Sequence, residues 1–212
     1  MKIVAINASP RKGWNSDKML DAFIEGARGA CPDAEVEKVQ LYDLDFKGCR
    51  GCLACQLQAT EDGQCLFRDG ATALLRDIKS ADGFVFSAPV YYFEVPSQMR
   101  GVLERLFYPG SAAREVPVTC IYTMNQPREN MEKYFGKQLA DTSFHLSYTF
   151  KTQPETVYAF ETLHWKNPER YKMPMEFYEQ RARIEREQFG SELEEARVAG
   201  TRMAEKIQNL KA

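Results

Sequence analysis

The sequence predicts an α/β fold, one parallel sheet of five strands with helices on both faces, and three observations carry that expectation. Residues 3–6 (IVAI) and 83–88 (GFVFSA) are unbroken runs without polar alternation, as expected of strands covered on both faces. Between such runs, apolar residues recur at spacings of three and four, the mark of helices packed against a sheet. Strands and helices alternate along the chain, which makes successive strands parallel.

Taken in order, the first strand at residues 3–6 leads through a polar turn into a helix carrying Met19, Leu20, Phe23, Ile24 and Ala27. Cys31-Pro32-Asp33 breaks the chain, and Val36, Val39 and Leu41 mark a second strand with imperfect alternation. Residues 46–65 have no period and contain a cysteine cluster. Asp69 can cap a short helix bearing Leu74, Leu75 and Ile78. The third strand, 83–88, runs into Pro89-Val90-Tyr91-Tyr92-Phe93, and Pro96 opens a helix with Met99, Val102, Leu103, Leu106 and Phe107. Residues 117–123 read as the fourth strand, followed by a helix over 129–139. Phe144, Leu146, Tyr148 and Phe150 alternate and are expected to form the fifth strand. A stretch rich in aromatics and proline then precedes a charged helix whose Leu193, Ala196, Gly200, Met203, Ile207 and Leu210 share one face. With loops of interest after the first and third strands, the pattern matches the flavodoxin-like order 2-1-3-4-5. The chain is expected to be a single domain over 1–212, with a cysteine loop at 46–68 and an irregular extension at 152–180.

Composition narrows the function classes. The 212 residues are 44% hydrophobic, enough for a substantial core, and 28 basic against 30 acidic residues leave a net charge of −2. No global field favours nucleic acid or an anionic membrane surface. No segment approaches a membrane span, and the first apolar run is too short for a signal peptide, so a cytoplasmic location is expected. The six cysteines are too few for a disulfide scaffold, and four are clustered, which points to metal, redox chemistry or local packing in a reducing compartment. Cys31 and Cys120, outside the cluster, are expected in the core. The two histidines, His145 and His164, argue against an enzyme built on histidine acid–base chemistry or zinc.

The first turn carries Ser9, Arg11, Lys12, Asn15 and Ser16 just before a helix start, where exposed N–H groups and the positive dipole end suit a phosphate. Neither G-x-G-x-x-G nor G-x-x-x-x-G-K-[ST] is present, which disfavours dinucleotides and nucleoside triphosphates. A terminal monophosphate needs less glycine, because hydroxyls and an arginine can supplement the backbone amides. The alternative is an ordinary polar turn. After the third strand, Pro89, Val90, Tyr91 and Tyr92 place flat apolar surfaces at the same sheet end, a wall suited to a tricyclic ring. Those aromatics can equally roof the core or form a subunit contact, but the two loops together favour a flavin mononucleotide.

Three blocks, ASPRKGWNS (8–16), CRGCLACQ with Cys65, and SAPVYYFEVPSQMRGVLER (87–105), resemble the signatures of the NAD(P)H-dependent FMN reductase family, and of its branch of iron–sulfur flavoproteins. The tail around 187–200 resembles the final helix of these proteins. The resemblance implies a phosphate cradle at Ser9, Arg11, Asn15 and Ser16, and a ring-contacting loop at Pro89, Val90, Tyr91 and Tyr92. It places the third flavin loop at Thr123-Met124-Asn125, where the family's glycine is absent, so Thr123 and Asn125 are the candidates there. Ala8 replaces the usual glycine before the serine, and Phe93-Glu94 replaces a small pair, which narrows access to the ring.

Cys49-x₂-Cys52-x₂-Cys55 followed nine residues later by Cys65 is a candidate [4Fe–4S] set, with Gly48 and Gly51 easing the turns. The last spacing is longer than in the cluster-binding relatives, and packed thiols or a redox dithiol are the alternatives. The function expected is an FMN-dependent oxidoreductase that takes electrons from NAD(P)H and passes them to a quinone, a flavin or another small acceptor. The alternative is an electron-transfer flavoprotein fed by a protein donor. No catalytic acid or base is expected, because the cofactor carries the chemistry. The tail aromatics Tyr158, Phe160, Trp165, Tyr171, Phe177 and Tyr178 are expected to pack on a second subunit of a homodimer or homotetramer, or else to fold back on their own sheet. Residues 181–187 read as a solvated helix face.

Overall fold

The structure is a computed structural model and describes residues 1–57, 65–106 and 114–211. Five parallel strands, β1 (Lys2–Asn7), β2 (Glu35–Gln40), β3 (Gly83–Pro89), β4 (Val118–Thr123) and β5 (Glu155–Ala159), form one sheet in the order 2-1-3-4-5. The helices are α1 (Asn15–Ala30), α2 (Thr72–Ser80), α3 (Ser97–Leu106), α4 (Arg128–Tyr134), α5 (Gly136–Phe150) and α6 (Met175–Lys211). Phe107, expected on the third helix, lies outside the described residues.

The pleat divides the core in two. Val4, Ile6, Phe84, Phe86, Cys120 and Tyr122 point to the face covered by α2, α3 and α5, while Ile3, Ala5, Val85, Ile121 and Val157 point to α1 and α6. On that second face α1 and α6 meet backbone to backbone. A Cβ on Gly200 would lie 1.9 Å from the Phe23 carbonyl oxygen, and one on Gly26 would lie 1.9 Å from that of Arg197. The apolar stripe of α6 is buried from Ala196 to Ile207, whereas Leu210 is exposed. Cys120 is buried, and Cys31 is half-buried just beyond α1.

Two expectations fail here. Phe144–Phe150 is not the fifth strand but the second half of α5. Its inward residues are Leu139, Thr142, Leu146, Thr149 and Phe150, at helical spacing, and Phe144 and Tyr148 face solvent. Alternate large side chains therefore fell on both sides of a helix and imitated a strand. The helix expected over 129–139 is split at Phe135 into α4 and α5. The fifth strand is instead Glu155–Ala159, inside the stretch read as irregular, and α6 begins before that stretch ends. Tyr158 stacks on Tyr122 and Phe160 at centroid distances of 5.8 and 5.4 Å, so these two tail aromatics pack on their own sheet.

Candidate functional site: a cavity at the strand ends and a cysteine loop beside it

Parallel strands end together, so the loops after β1, β3 and β4 share one edge of the sheet. Between them lies a cavity of about 520 Å³ that collects Ser9, Arg11, Asn15 and Ser16 from the first loop, residues 89–93 from the third-strand loop and residues 123–126 from the fourth. Every residue expected from the sequence at a flavin site lines this one space, Pro89, Val90, Tyr91, Tyr92, Thr123 and Asn125 included.

The end of the cavity beside the first loop is built largely from buried polar groups. Ser9, Asn15 and Ser16 are buried, and Ser16 Oγ lies 2.7 Å from Thr123 Oγ1, joining two loops across the switch point. Ser9 Oγ accepts the Arg11 N–H at 3.1 Å. Sequence reasoning missed what holds Ser9 itself. Asn7, fully buried at the end of β1, accepts the Ser9 N–H at 3.1 Å, and Gln40 at the end of β2 donates to Ser9 O at 2.6 Å and accepts from Asn7 Nδ2 at 2.6 Å. A buried asparagine closing an apolar strand was the signal, since such a group must be paired. At the start of α1, Asp17 accepts the Gly13 N–H at 2.6 Å and pairs with Lys38 at 2.6 Å, which places a carboxylate at the dipole's positive end and a cation beside it.

The end of the cavity beside the third-strand loop is aromatic. Tyr91 and Glu94 exchange backbone hydrogen bonds at 2.9 and 3.1 Å, a miniature hairpin whose tip puts Tyr92 and Phe93 at φ of +48° and +72°. The Glu94 carboxylate braces this tip through Arg100 and accepts the Val95 N–H at 3.0 Å. Phe93 packs on Phe135 at 5.2 Å, and Tyr92 is 98% exposed at the rim. Thr162 and His164, from the segment after β5, supply a further wall that no motif announced. The other histidine, His145, sits half-buried on α5 with Nε2 3.1 Å from Leu103 O, and burial lowers its pKa.

The cysteine loop lies elsewhere on the surface of α3. A cavity of about 170 Å³ is lined by Cys49, Cys52, Cys55 and Cys65 together with Glu104 and Arg105. Residues 58–64 of this loop lie outside the described residues. Burial pushes the Cys55 thiol pKa up against a backbone hydrogen bond that lowers it, and Cys65, Cys49 and Cys52 lie within electrostatic reach and add to the rise. Among the described residues no three cysteine, histidine or carboxylate side chains converge on a single metal ion. The loop is pinned by Arg105, whose guanidinium bonds both Asp69 carboxylate oxygens at 2.9 and 2.8 Å, Lys47 O at 3.0 Å and Phe67 O at 2.8 Å, with the Cys65 thiol beside it. Burial alone would raise the Asp69 pKa, but the Arg105 guanidinium and the Lys47 and Ala71 N–H groups hold it below the usual carboxylate range.

Sheet order and cavity together define a flavodoxin-like α/β protein with a cavity at the topological switch point, where ligands bind in open α/β sheets. Residues 1–132 match the NADPH-dependent FMN reductase family, and the chain belongs to that family. It is 36% identical over 106 residues to an iron-sulfur flavoprotein of Archaeoglobus fulgidus, a match covering 50% of this chain and 46% of that protein. It is 30% identical over 105 residues to one of Methanosarcina thermophila, covering 50% and 52%. The chain thus spans about half the length of the curated relatives it matches. A solved azoreductase of Bacillus anthracis shares the fold with a TM-score of 0.67 at 16% identity, over 95% of this chain and 99% of that one.

Proposed function

We propose that this chain is an FMN-dependent oxidoreductase that passes electrons from NAD(P)H to a quinone, a flavin or another small acceptor. The observation that carries the reading is one cavity with two chemically different ends, buried hydroxyls with an exposed arginine at one and an aromatic wall at the other. Ser9, Arg11, Asn15 and Ser16 would hold the phosphate, and Pro89, Val90, Tyr91 and Tyr92 the ring, with Thr123 and Asn125 alongside. When bound there, FMN supplies hydride and electron exchange at its ring. The chain's part is to bind, orient and exclude water. The Ser16–Thr123 hydroxyl pair shares one hydrogen bond and keeps a second hydroxyl hydrogen for a ligand. Tyr91 and Phe93 leave one side of the cavity open at the rim, where a nicotinamide or an acceptor can reach a bound ring.

The same reading extends to a [4Fe–4S] cluster on Cys49, Cys52, Cys55 and Cys65, supported by the shared cavity of the four thiols and by the names of the relatives above. It also extends to a homodimer or homotetramer that covers the exposed Tyr171 and Phe177. No helix among the described residues is long and apolar enough to cross a membrane.

An absorbance spectrum of the purified protein, followed by anaerobic mixing with NADH and NADPH, tests the core of the proposal. Flavin bands that either nicotinamide bleaches support it, and a protein without flavin bands that takes up no added FMN overturns it. Bound flavin that neither nicotinamide reduces favours the carrier fed by a protein donor. Stoichiometric absence of iron and acid-labile sulfide after anaerobic purification would remove the cluster, and a monomeric mass by light scattering would remove the oligomer.

A further inference from the structure

Residues 160–164 leave the end of β5 and cross the N-terminus of α1, with their backbone carbonyls turned to the candidate phosphate donors. Leu163 O accepts from Asn15 Nδ2 at 2.8 Å and from Trp14 Nε1 at 3.2 Å, and His164 O accepts from the Arg11 guanidinium. The opposite side of the segment hangs on α6. Glu192 accepts the Phe160 N–H at 2.8 Å, Arg181 pairs with Glu161, and Glu185 accepts the Leu163 N–H at 3.2 Å while also bonding the Asn15 side chain. Residues 181–187 are therefore a solvated face only in part: Arg183, Arg186 and Glu187 are exposed, but Arg181 and Glu185 bond this segment.

We propose, building on the FMN reading above, that residues 160–164 are a strap that presets the phosphate end of the flavin site, with Glu185 as its positioning residue. The chemistry of the acceptors argues for presetting over blocking. A carbonyl oxygen is neutral, so it holds Arg11 and Asn15 in place without cancelling the arginine's charge. Arginine has five N–H donors and the strap takes one, leaving the others for a dianion, while the two Asn15 amide hydrogens serve Leu163 O and the Glu185 carboxylate. A phosphate oxygen carries the charge that a carbonyl lacks and accepts from arginine in a fork, so a phosphate can also take over the shared donors. Side chains already fixed lose less freedom on binding, which raises affinity without adding a contact. The negative charge of Glu185 would oppose a nearby phosphate, and Lys18 on α1 faces that carboxylate and offsets it.

The test compares FMN with riboflavin, which has the same ring and no phosphate, on the full chain stripped of flavin. Glu185→Ala is expected to raise the FMN Kd about tenfold and to change the riboflavin Kd by less than about twofold. Glu185→Gln keeps an oxygen that can accept the Leu163 N–H, and wild-type FMN affinity is expected to return. If Glu185→Ala does not fold, Arg181→Met cuts the Glu161 tether and is expected to show the same selective loss. Equal weakening of both flavins, or no change in either, overturns the strap. A wild-type chain that binds neither flavin overturns the FMN reading itself and the strap with it, a result distinct from the other two.

Discussion

Around the cavity at the strand ends, polar side chains are buried and tied to one another through neutral partners, Asn7 and Gln40 to Ser9, Ser16 to Thr123, Asn15 to Leu163. Around the cysteine loop, Cys49 and Cys52 are exposed, and a single buried charge, Arg105, ties Lys47 on one side of the loop to Phe67 on the other. The first region takes its shape from the sheet, whose parallel strands must end together. The second has no regular backbone to shape it and depends on one pin. The difference teaches that the cavity is formed before any ligand arrives, whereas the thiols are held near one another and would be drawn to their final positions by what they bind.

The largest expected effect comes from pulling that pin. Arg105→Leu leaves the half-buried Asp69 without its cation and the Lys47 and Phe67 carbonyls without their donor, a loss of about 3 kcal/mol. Thiol modification of the cysteine loop should accelerate, while FMN affinity should stay within about twofold of wild type. If FMN binding fell in step with thiol protection, the two regions would be one cooperative unit and the contrast between them would be lost.

A smaller effect belongs to the cavity side. Burial raises the Glu192 pKa from its ordinary 4.5 to about 7; the Phe160 N–H and Arg128 of α4 act against the rise, and Glu195 and Glu185 on α6 add to it. One carboxylate oxygen of Glu192 is buried without a hydrogen-bond partner. In the window between 4.5 and about 7 the folded chain binds more protons than the unfolded one, so stability falls as pH rises. The contribution is fully present below 4.5 and lost as pH rises through about 7. Unfolding free energies from urea titrations of Glu192→Gln should show a flatter decline over this window, by about 2 kcal/mol. An unchanged slope would mean that the carboxylate is solvated.

What the sequence disclosed follows from which atoms do the work. β1, β3 and β4 were legible because both their faces are buried, and a short unbroken apolar run between turn residues is the pattern such burial imposes. β5 was not: it is an edge strand of five residues with half-exposed positions, and it follows Pro154. α5 hid its period because two of its five buried positions are threonines, leaving no apolar stripe to read. At the cavity, Ser9, Arg11, Asn15 and Ser16 were legible as side-chain donors crowded into one turn. The strap was not, because it acts through the carbonyls of Leu163 and His164, which any residue supplies. Its supports on α6 looked like a solvated surface for the same reason, since their partners are N–H groups and Glu161 instead of apolar side chains.

The smallest expected change in stability separates a side chain kept for the fold from one kept for a ligand. Tyr92 sits at φ +48° and is 98% exposed, so it contributes almost no burial and occupies a backbone region that costs an ordinary residue about 1 kcal/mol. Tyr92→Gly relieves that cost and adds a comparable loss of freedom on folding, so the unfolding free energy should change by no more than about 0.5 kcal/mol. Its neighbour Phe93, also at positive φ, is anchored on Phe135 and keeps the tip in place without the tyrosine ring. Turnover with a flat aromatic acceptor should nevertheless fall several-fold, because the exposed ring is the surface such a molecule meets at the rim. If stability and turnover were both unchanged, Tyr92 would be ordinary surface, and the aromatic wall of the cavity would begin at Tyr91.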